Sequence, residues 1–327
     1  MSNPMAPDIK AIDPSKVHYL GHSLGAITGT NFAAVANTPA NTGDSLTDAA
    51  IDASYKINSV VLANPGASIG NFLLESKSFG PLVQAMVAYG ASADVKAAVD
   101  LLLEPAALGE VVTASLTSET PDAACQAVAA ATAQGKIDQA SSLVCAYNAF
   151  YAAAPDEVKV SISGLLTSFA FAAQAAIEAG DPTNYTQLLK ATGTPVLVYE
   201  MTGDGELNPA DEVIPNNVST DPKGQIGGTS GLAEQLGLES VTETVPLSDS
   251  ATSGIVRFKY GSHSTMLTPS TSLPDLYPTL FSAVNQEMQL MAINYFASDG
   301  KQIVVSDGAA IGNVCVLTEG TTANCSE

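Results

Sequence analysis

The sequence predicts an α/β fold: a mostly parallel sheet flanked by helices, interrupted by an all-helical insertion. Three observations predict it. Short apolar runs alternate with helix-periodic segments, the order in which strand–helix–strand units are written. The run "TPVLVYEMTG" (194–203) is almost continuously apolar, as in a strand covered on both faces. From about Ile69 to Ala191 the chain is rich in Ala, Leu and Val at helical spacing, with no convincing strand.

Taken in order, residues 1–15 are rich in Pro and Asp and irregular. "VHYLGHS" (17–23) reads as a short buried strand, and "LGAITGTNFAAVAN" (24–37) as a helix whose small residues let it lie close to a sheet. "SLTDAAIDASY" is a surface loop or short helix, and "INSVVLANPGAS" (57–68) is a second strand ending in a Pro-Gly turn. Within the helical insertion, Val158, Ile162, Leu165, Phe169, Ala173 and Ile177 recur at three or four residues, and Asp181-Pro182 stops that helix. "SGLAEQLG" is a short helix, "GIVRFKYG" (254–261) another strand, and "PTLFSAVNQEMQLMAINYFAS" (278–298) a long helix with Leu280, Val284, Met288, Met291 and Tyr295 on one face. The expected organisation is a core of residues 1–68 and 192–300, a helical lid or cap at 69–191, and a tail at 301–327.

Composition excludes several classes of function. The 327 residues carry 33 acidic and 12 basic side chains, a net charge of −21, and only 14% are charged. A phosphate backbone needs a Lys/Arg face, so nucleic acid is not an expected partner. The acidic balance also opposes docking on anionic lipid, and it favours neutral or zwitterionic small molecules over anionic ones. No uninterrupted run of eighteen apolar residues is present, so no transmembrane segment is expected. "MSNPMAPDIK" lacks the charged-then-apolar pattern of a signal peptide. The four cysteines, Cys125, Cys145, Cys315 and Cys325, fall into two locally spaced pairs with no CxxC among them, and there are three histidines. This pattern argues against a zinc site. It predicts two disulfides, the second pinning a hairpin-like tail, and hence an exported protein, secreted or at the cell surface.

Chemistry concentrates at "GHSLG". Gly21-His22-Ser23-Leu24-Gly25 matches G-x-S-x-G between a predicted strand and a predicted helix, the context in which that motif throws a serine hydroxyl out above a sheet. Both glycines are expected to permit close backbone approach. A serine needs a base. His18 lies inside the strand and His22 is expected to point away from the serine, whereas His263 sits in the loop after a late strand, in "KYGSHSTML". The base in turn needs a buried carboxylate. "TGDGELNPADEVIPNN" offers Asp211, preferred because a short apolar return follows it, and Asp204, nearer the strand end; Glu206 and Glu212 are expected to be solvated.

The chain order Ser23, Asp211, His263 resembles that of the α/β-hydrolases. "HYLGHSLGAITG", "INSVVLANPG", "GDGELNPADEVIPN" and "GSHSTML" are most similar to bacterial extracellular, virulence-type lipases and lysophospholipases, and together cover about a third of the chain. The resemblance implies carboxylic-ester hydrolysis through an acyl-enzyme on Ser23, with His263 as base, Asp211 as its orienter and the Leu24 N–H as one oxyanion donor. It implies no metal or organic cofactor. It also implies an N-terminally truncated version of that fold. In the family, further strands precede the serine elbow, and a loop among them supplies the second oxyanion donor. The strand bearing Ser23 is then expected to lie at an open edge. That edge would be covered by a second copy of the chain, by a missing N-terminal partner segment, or by the tail strands "QIVV" and "VCVL". Acyl transfer to an alcohol, and an incompetent hydrolase-fold module, are the alternative functions.

Overall fold

The computed structural model describes residues 13, 15–218, 227–306 and 308. In chain order the first elements are β1 (Tyr19–His22), α1 (Leu24–Ala36), α2 (Ser45–Tyr55) and β2 (Val60–Ala63). Seven helices follow: α3 (Ile69–Glu75), α4 (Gly80–Ala91), α5 (Ala93–Leu103), α6 (Pro105–Leu116), α7 (Ala123–Ala133), α8 (Gln139–Ala153) and α9 (Asp156–Ile177). The chain then forms α10 (Thr186–Ala191), β3 (Val196–Met201), α11 (Gly228–Leu236), β4 (Gly254–Phe258) and α12 (Tyr277–Ala297). Two compact units result: residues 69–178, and the remainder.

The larger unit is an α/β structure built on a four-stranded parallel sheet of order β1-β2-β3-β4. Strand alternation divides its apolar residues between two cores. Val61, Ala63, Leu197, Tyr199, Met201, Val256 and Phe258 face Val284, Met288, Met291 and Tyr295 of α12. Val60, Leu62, Val196, Val198 and Ile255 face residues of α1, α10 and α11, among them Ala26, Ala33, Leu189 and Leu232. Every residue of β2 and β3 is buried, as a parallel sheet covered on both faces requires. The strands are shorter than the apolar runs that encode them, losing residues at both ends. The stretch 45–55 is a helix, started by Asp44, whose carboxylate accepts the Leu46 N–H.

The helical insertion ends at Glu178 rather than Ala191. Residues 179–191 belong with the sheet: Leu189 is buried in the α1 core, and buried Asp181 accepts the N–H groups of Ser68 and Thr183. The helix stop at Asp181-Pro182 marks the end of α9, but helical segments lie on both sides of it, so only the contacts show which unit residues 179–191 join.

The smaller unit packs Ala85, Ala88, Val95, Val99, Val144, Tyr147 and Ile162 into one cluster. The expected Cys125–Cys145 disulfide joins α7 to α8. Ser92, Asp122 and Asp138 cap α5, α7 and α8, accepting the N–H groups of Val95, Cys125 and Ser141. Of the stripe anticipated on α9 only Ile162 is fully buried; the other buried residue of that helix, Ala170, lies outside the stripe. Residues Asp156–Gly180 are long and apolar enough to cross a membrane by length and composition alone, a test that the core helix of a soluble protein also passes. Interspersed Ser, Thr and Gly hide the stretch from a search for unbroken apolar runs. Cys315, Cys325, "VCVL" and the expected tail hairpin lie outside the described residues.

β1 is an edge strand: among the described residues nothing pairs with its outer side, and Leu20 is 40% exposed. The described part of the tail does not cover it. Ile303 instead bridges Val245 antiparallel and is fully buried in the core beside β4. From Val17 to Gly43 the chain holds no Asp, Glu, Lys or Arg, so β1 and α1 themselves place no charge at this edge.

Candidate active site

The carboxyl ends of the four parallel strands carry the functional candidates, as is usual for open α/β sheets. β1 ends at His22, and Ser23 follows with φ 54° and ψ −123°, a conformation that costs a non-glycine residue about 1–3 kcal/mol. Ser23 is held there by its own N–H, which donates to the Ala63 carbonyl at 2.9 Å, and by its carbonyl, which accepts from Ala26 and Ile27 to open α1. Strand, strained serine and helix form a sharp elbow. The Leu24 N–H belongs to the first turn of α1, where N–H groups have no intrahelical acceptor and the helix dipole is positive.

The two motif glycines are not equivalent. A Cβ on Gly21 would lie 2.4 Å from the Gly25 carbonyl oxygen and 2.8 Å from the Ala26 Cα, so only glycine lets the strand pass under the helix. A Cβ on Gly25 would meet only the Tyr19 hydroxyl, at 4.0 Å. Close approach is needed instead at Gly29, where a Cβ would fall 2.2 Å from the Tyr19 ring. Gly21→Ala is expected to destabilise the sheet unit by about 1–3 kcal/mol, read as a lower urea midpoint, while Gly25→Ala leaves the midpoint nearly unchanged. Equal effects at both positions would contradict this account of the elbow.

His263 follows β4, and Asp211 follows β3. The Asp211 Oδ2 accepts the His263 Nδ1–H at 2.7 Å, and Oδ1 accepts the N–H groups of Val213 and Ile214 at 2.8 and 3.1 Å. The Asp211 N–H donates to the Met201 carbonyl, which fixes the loop to the end of β3. Its side chain is 1% exposed and that of His263 11%. With Nδ1 committed to the carboxylate, Nε2 is the atom left to exchange a proton. That Nε2 is buried and has no hydrogen-bond partner in the structure, so the Ser23 hydroxyl and the imidazole are not hydrogen-bonded. Catalytic hydrogen bonds are often long before substrate binds.

Asp204 does something else. Its Oδ1 accepts the N–H groups of Glu206 and Asn208, and its Oδ2 accepts the Tyr277 hydroxyl at 2.6 Å. Burial opposes its ionisation, but these donors outweigh burial and hold its carboxyl below the usual range; the same contact pushes the Tyr277 phenol up to about 12. Asp204 is a turn brace.

His18 lies at the opposite end of β1. It shares a hydrogen bond with the Ser59 hydroxyl at 2.8 Å and stacks on Phe296. His22 does not point away from the site, as the elbow alone suggests: its Nε2 is 2.6 Å from the His263 carbonyl oxygen, and the two rings lie 4.9 Å apart. Two further features escape sequence reading. Asn64, just after β2, is left-handed with φ 50° and donates its amide to that same carbonyl at 2.7 Å. The "ANPG" turn signal marks the bend but not this contact. Glu200, inside β3, is a buried carboxylate held by Arg257 and Ser230. No group of His, Cys, Asp and Glu suited to a metal ion occurs among the described residues.

The fold and site together define an α/β protein that carries a Ser–Asp–His arrangement at the carboxyl edge of a parallel sheet. Compared with known proteins, the chain matches no family model, no curated protein and no solved structure.

Proposed function

We propose that this protein is a serine carboxylic-ester hydrolase, an esterase or lipase of the α/β-hydrolase type. The observation that carries the reading is the buried Asp211–His263 pair placed at the same end of the sheet as a serine in a strained strand-to-helix elbow. A strained backbone at a lone polar residue is costly, and such strain concentrates where chemistry is done.

In this reading the Ser23 hydroxyl adds to the ester carbonyl carbon as His263 Nε2 takes its proton. Asp211 keeps the imidazole proton on Nδ1 and stabilises the imidazolium that forms. The carbonyl oxygen becomes an oxyanion facing the Leu24 N–H and the positive end of α1. Collapse breaks the C–O bond, the alcohol leaves with the proton from His263, and an acyl group remains on Ser23. Water, activated by His263, then releases the acid. Acyl chain bound in apolar surroundings contributes about 0.8 kcal/mol per CH₂, which favours uncharged acyl groups. An exported location fits the Cys125–Cys145 disulfide.

The test is hydrolysis of p-nitrophenyl butyrate beside Ser23→Ala, with fluorophosphonate labelling of both and with product analysis in added alcohol. Turnover and labelling that vanish in Ser23→Ala are expected, with free acid as the main product. Dominant ester exchange would assign an acyltransferase. A folded protein that neither labels nor turns over would favour the incompetent-module reading.

A further inference from the structure

The His263 backbone carbonyl is where β1, β2 and the loop after β4 meet. Two side chains converge on it, the His22 ring from the last residue of β1 and the Asn64 amide from the first residue after β2. We infer that Asn64 and His22 are positioning residues, which hold His263 by its main chain so that its imidazole stays aligned with Asp211 at the level of Ser23. The inference rests on the reading of His263 as the base.

Four observations support it. A carbonyl oxygen has two lone pairs, and here both are engaged by donors on different strands, so the His263–Ser264 peptide cannot rotate without breaking one of them. The other side of the loop is tied as well. The Ser262 N–H donates to the Thr265 hydroxyl, and the Asn285 amide of α12 donates to the carbonyls of Thr265 and Met266. The His263 side chain therefore leaves a backbone fixed from two directions, and one hydrogen bond to Asp211 suffices to set the ring. Next, Asn64 is 1% exposed and left-handed, a conformation that glycine would adopt without strain. The amide contact accounts for an asparagine at that position. Lastly, His22 donates through Nε2–H. Burial, the largest influence, lowers its pKa, while the carbonyl contact acts in the opposite sense and the His263 ring adds to the lowering. A neutral His22 puts no second positive charge beside His263 when the base is protonated.

The experiment uses the full chain and four variants. Asn64→Gly keeps the left-handed backbone and removes the donor. Asn64→Asp keeps the shape and presents no donor. His22→Phe removes the ring N–H, and His22→Gln restores a donor. Asn64→Gly and His22→Phe are each expected to lower kcat for p-nitrophenyl butyrate about 10- to 100-fold, with KM within about threefold of the parent, because the base is misplaced rather than the substrate lost. Asn64→Asp should be worse than Asn64→Gly, and His22→Gln should recover most of the loss. If Asn64→Gly fails to fold, the His22→Phe and His22→Gln pair decides.

A second readout does not need turnover. The far-downfield Nδ1 proton of His263, assigned by its absence in Asp211→Ala, should be sharp in the parent and broadened by exchange in Asn64→Gly and His22→Phe. If that resonance keeps the sharpness of the parent in both variants, the inference is overturned, whether or not the protein hydrolyses esters. Absence of turnover in the parent, with the resonance behaving as expected, overturns the esterase reading alone.

Discussion

Asp211→Asn is expected to lower kcat for ester hydrolysis about 10⁴-fold with little change in KM, and Asp204→Asn to leave both within about threefold. The size of the first effect follows from the two ends of the carboxylate. Oδ1 is committed to the N–H groups of Val213 and Ile214, and Oδ2 to His263 Nδ1. An asparagine there has one oxygen, which the two backbone donors claim. Its NH₂ then faces Nδ1 and makes Nδ1 an acceptor, which moves the ring proton to Nε2. An Nε2 that already carries a proton cannot take one from Ser23. At Asp204 the partners are two backbone N–H groups and the Tyr277 hydroxyl, all compatible with an amide after the phenol turns to donate elsewhere. Steady-state kinetics on both variants decides the matter. A large loss in Asp204→Asn with an intact Asp211→Asn would remove the triad assignment.

Arg257→Met is expected to destabilise the sheet unit by about 3–5 kcal/mol at pH 7. Glu200 is 1% exposed, and its carboxylate accepts the Arg257 Nε–H at 2.6 Å and the Ser230 hydroxyl at 2.5 Å. Burial raises its pKa, and the charge of Asp211 adds to the rise, against the pull of Arg257 and Ser230. Removing the guanidinium leaves a charge in the core of β3 with one neutral donor. The sign with pH follows. A carboxyl whose folded pKa lies above its unfolded value binds more protons in the folded state, so its penalty is full above the folded pKa and is relieved as pH falls toward the ordinary carboxylate range. The urea-midpoint gap between Arg257→Met and the parent should therefore narrow from pH 7 downward. The double variant Glu200→Leu, Arg257→Met should recover most of the loss. A constant gap, or a double variant no better than the single, would contradict this account.

Local chemistry made much of this molecule legible from its sequence. The parallel sheet follows from apolar runs such as 194–203, which cannot sit anywhere but between two layers, and the elbow follows from small residues placed around a serine between a strand and a helix. Asp211 is preferred over Asp204 on the apolar return that follows it; both carboxylates accept nearby backbone N–H groups, but Asp211 is the buried one and Asp204 is half-buried. The Cys125–Cys145 pairing was legible as well, with a sequence separation of 20 between partners on neighbouring helices.

What only the tertiary structure decided are the contacts between residues far apart in the chain. The seam at Glu178 depends on Leu189 and Asp181 packing with the sheet, while helices lie on both sides of it in the chain. Gly21, not Gly25, is the obligatory glycine because of where the first turn of α1 crosses β1. Glu200 and Arg257 neutralise each other across two strands 57 residues apart. His22 and Asn64 reach the His263 carbonyl across 241 and 199 residues. A residue's type and near neighbours constrain its backbone and its burial; its partner across a sheet is set by register and crossover, which no local pattern encodes.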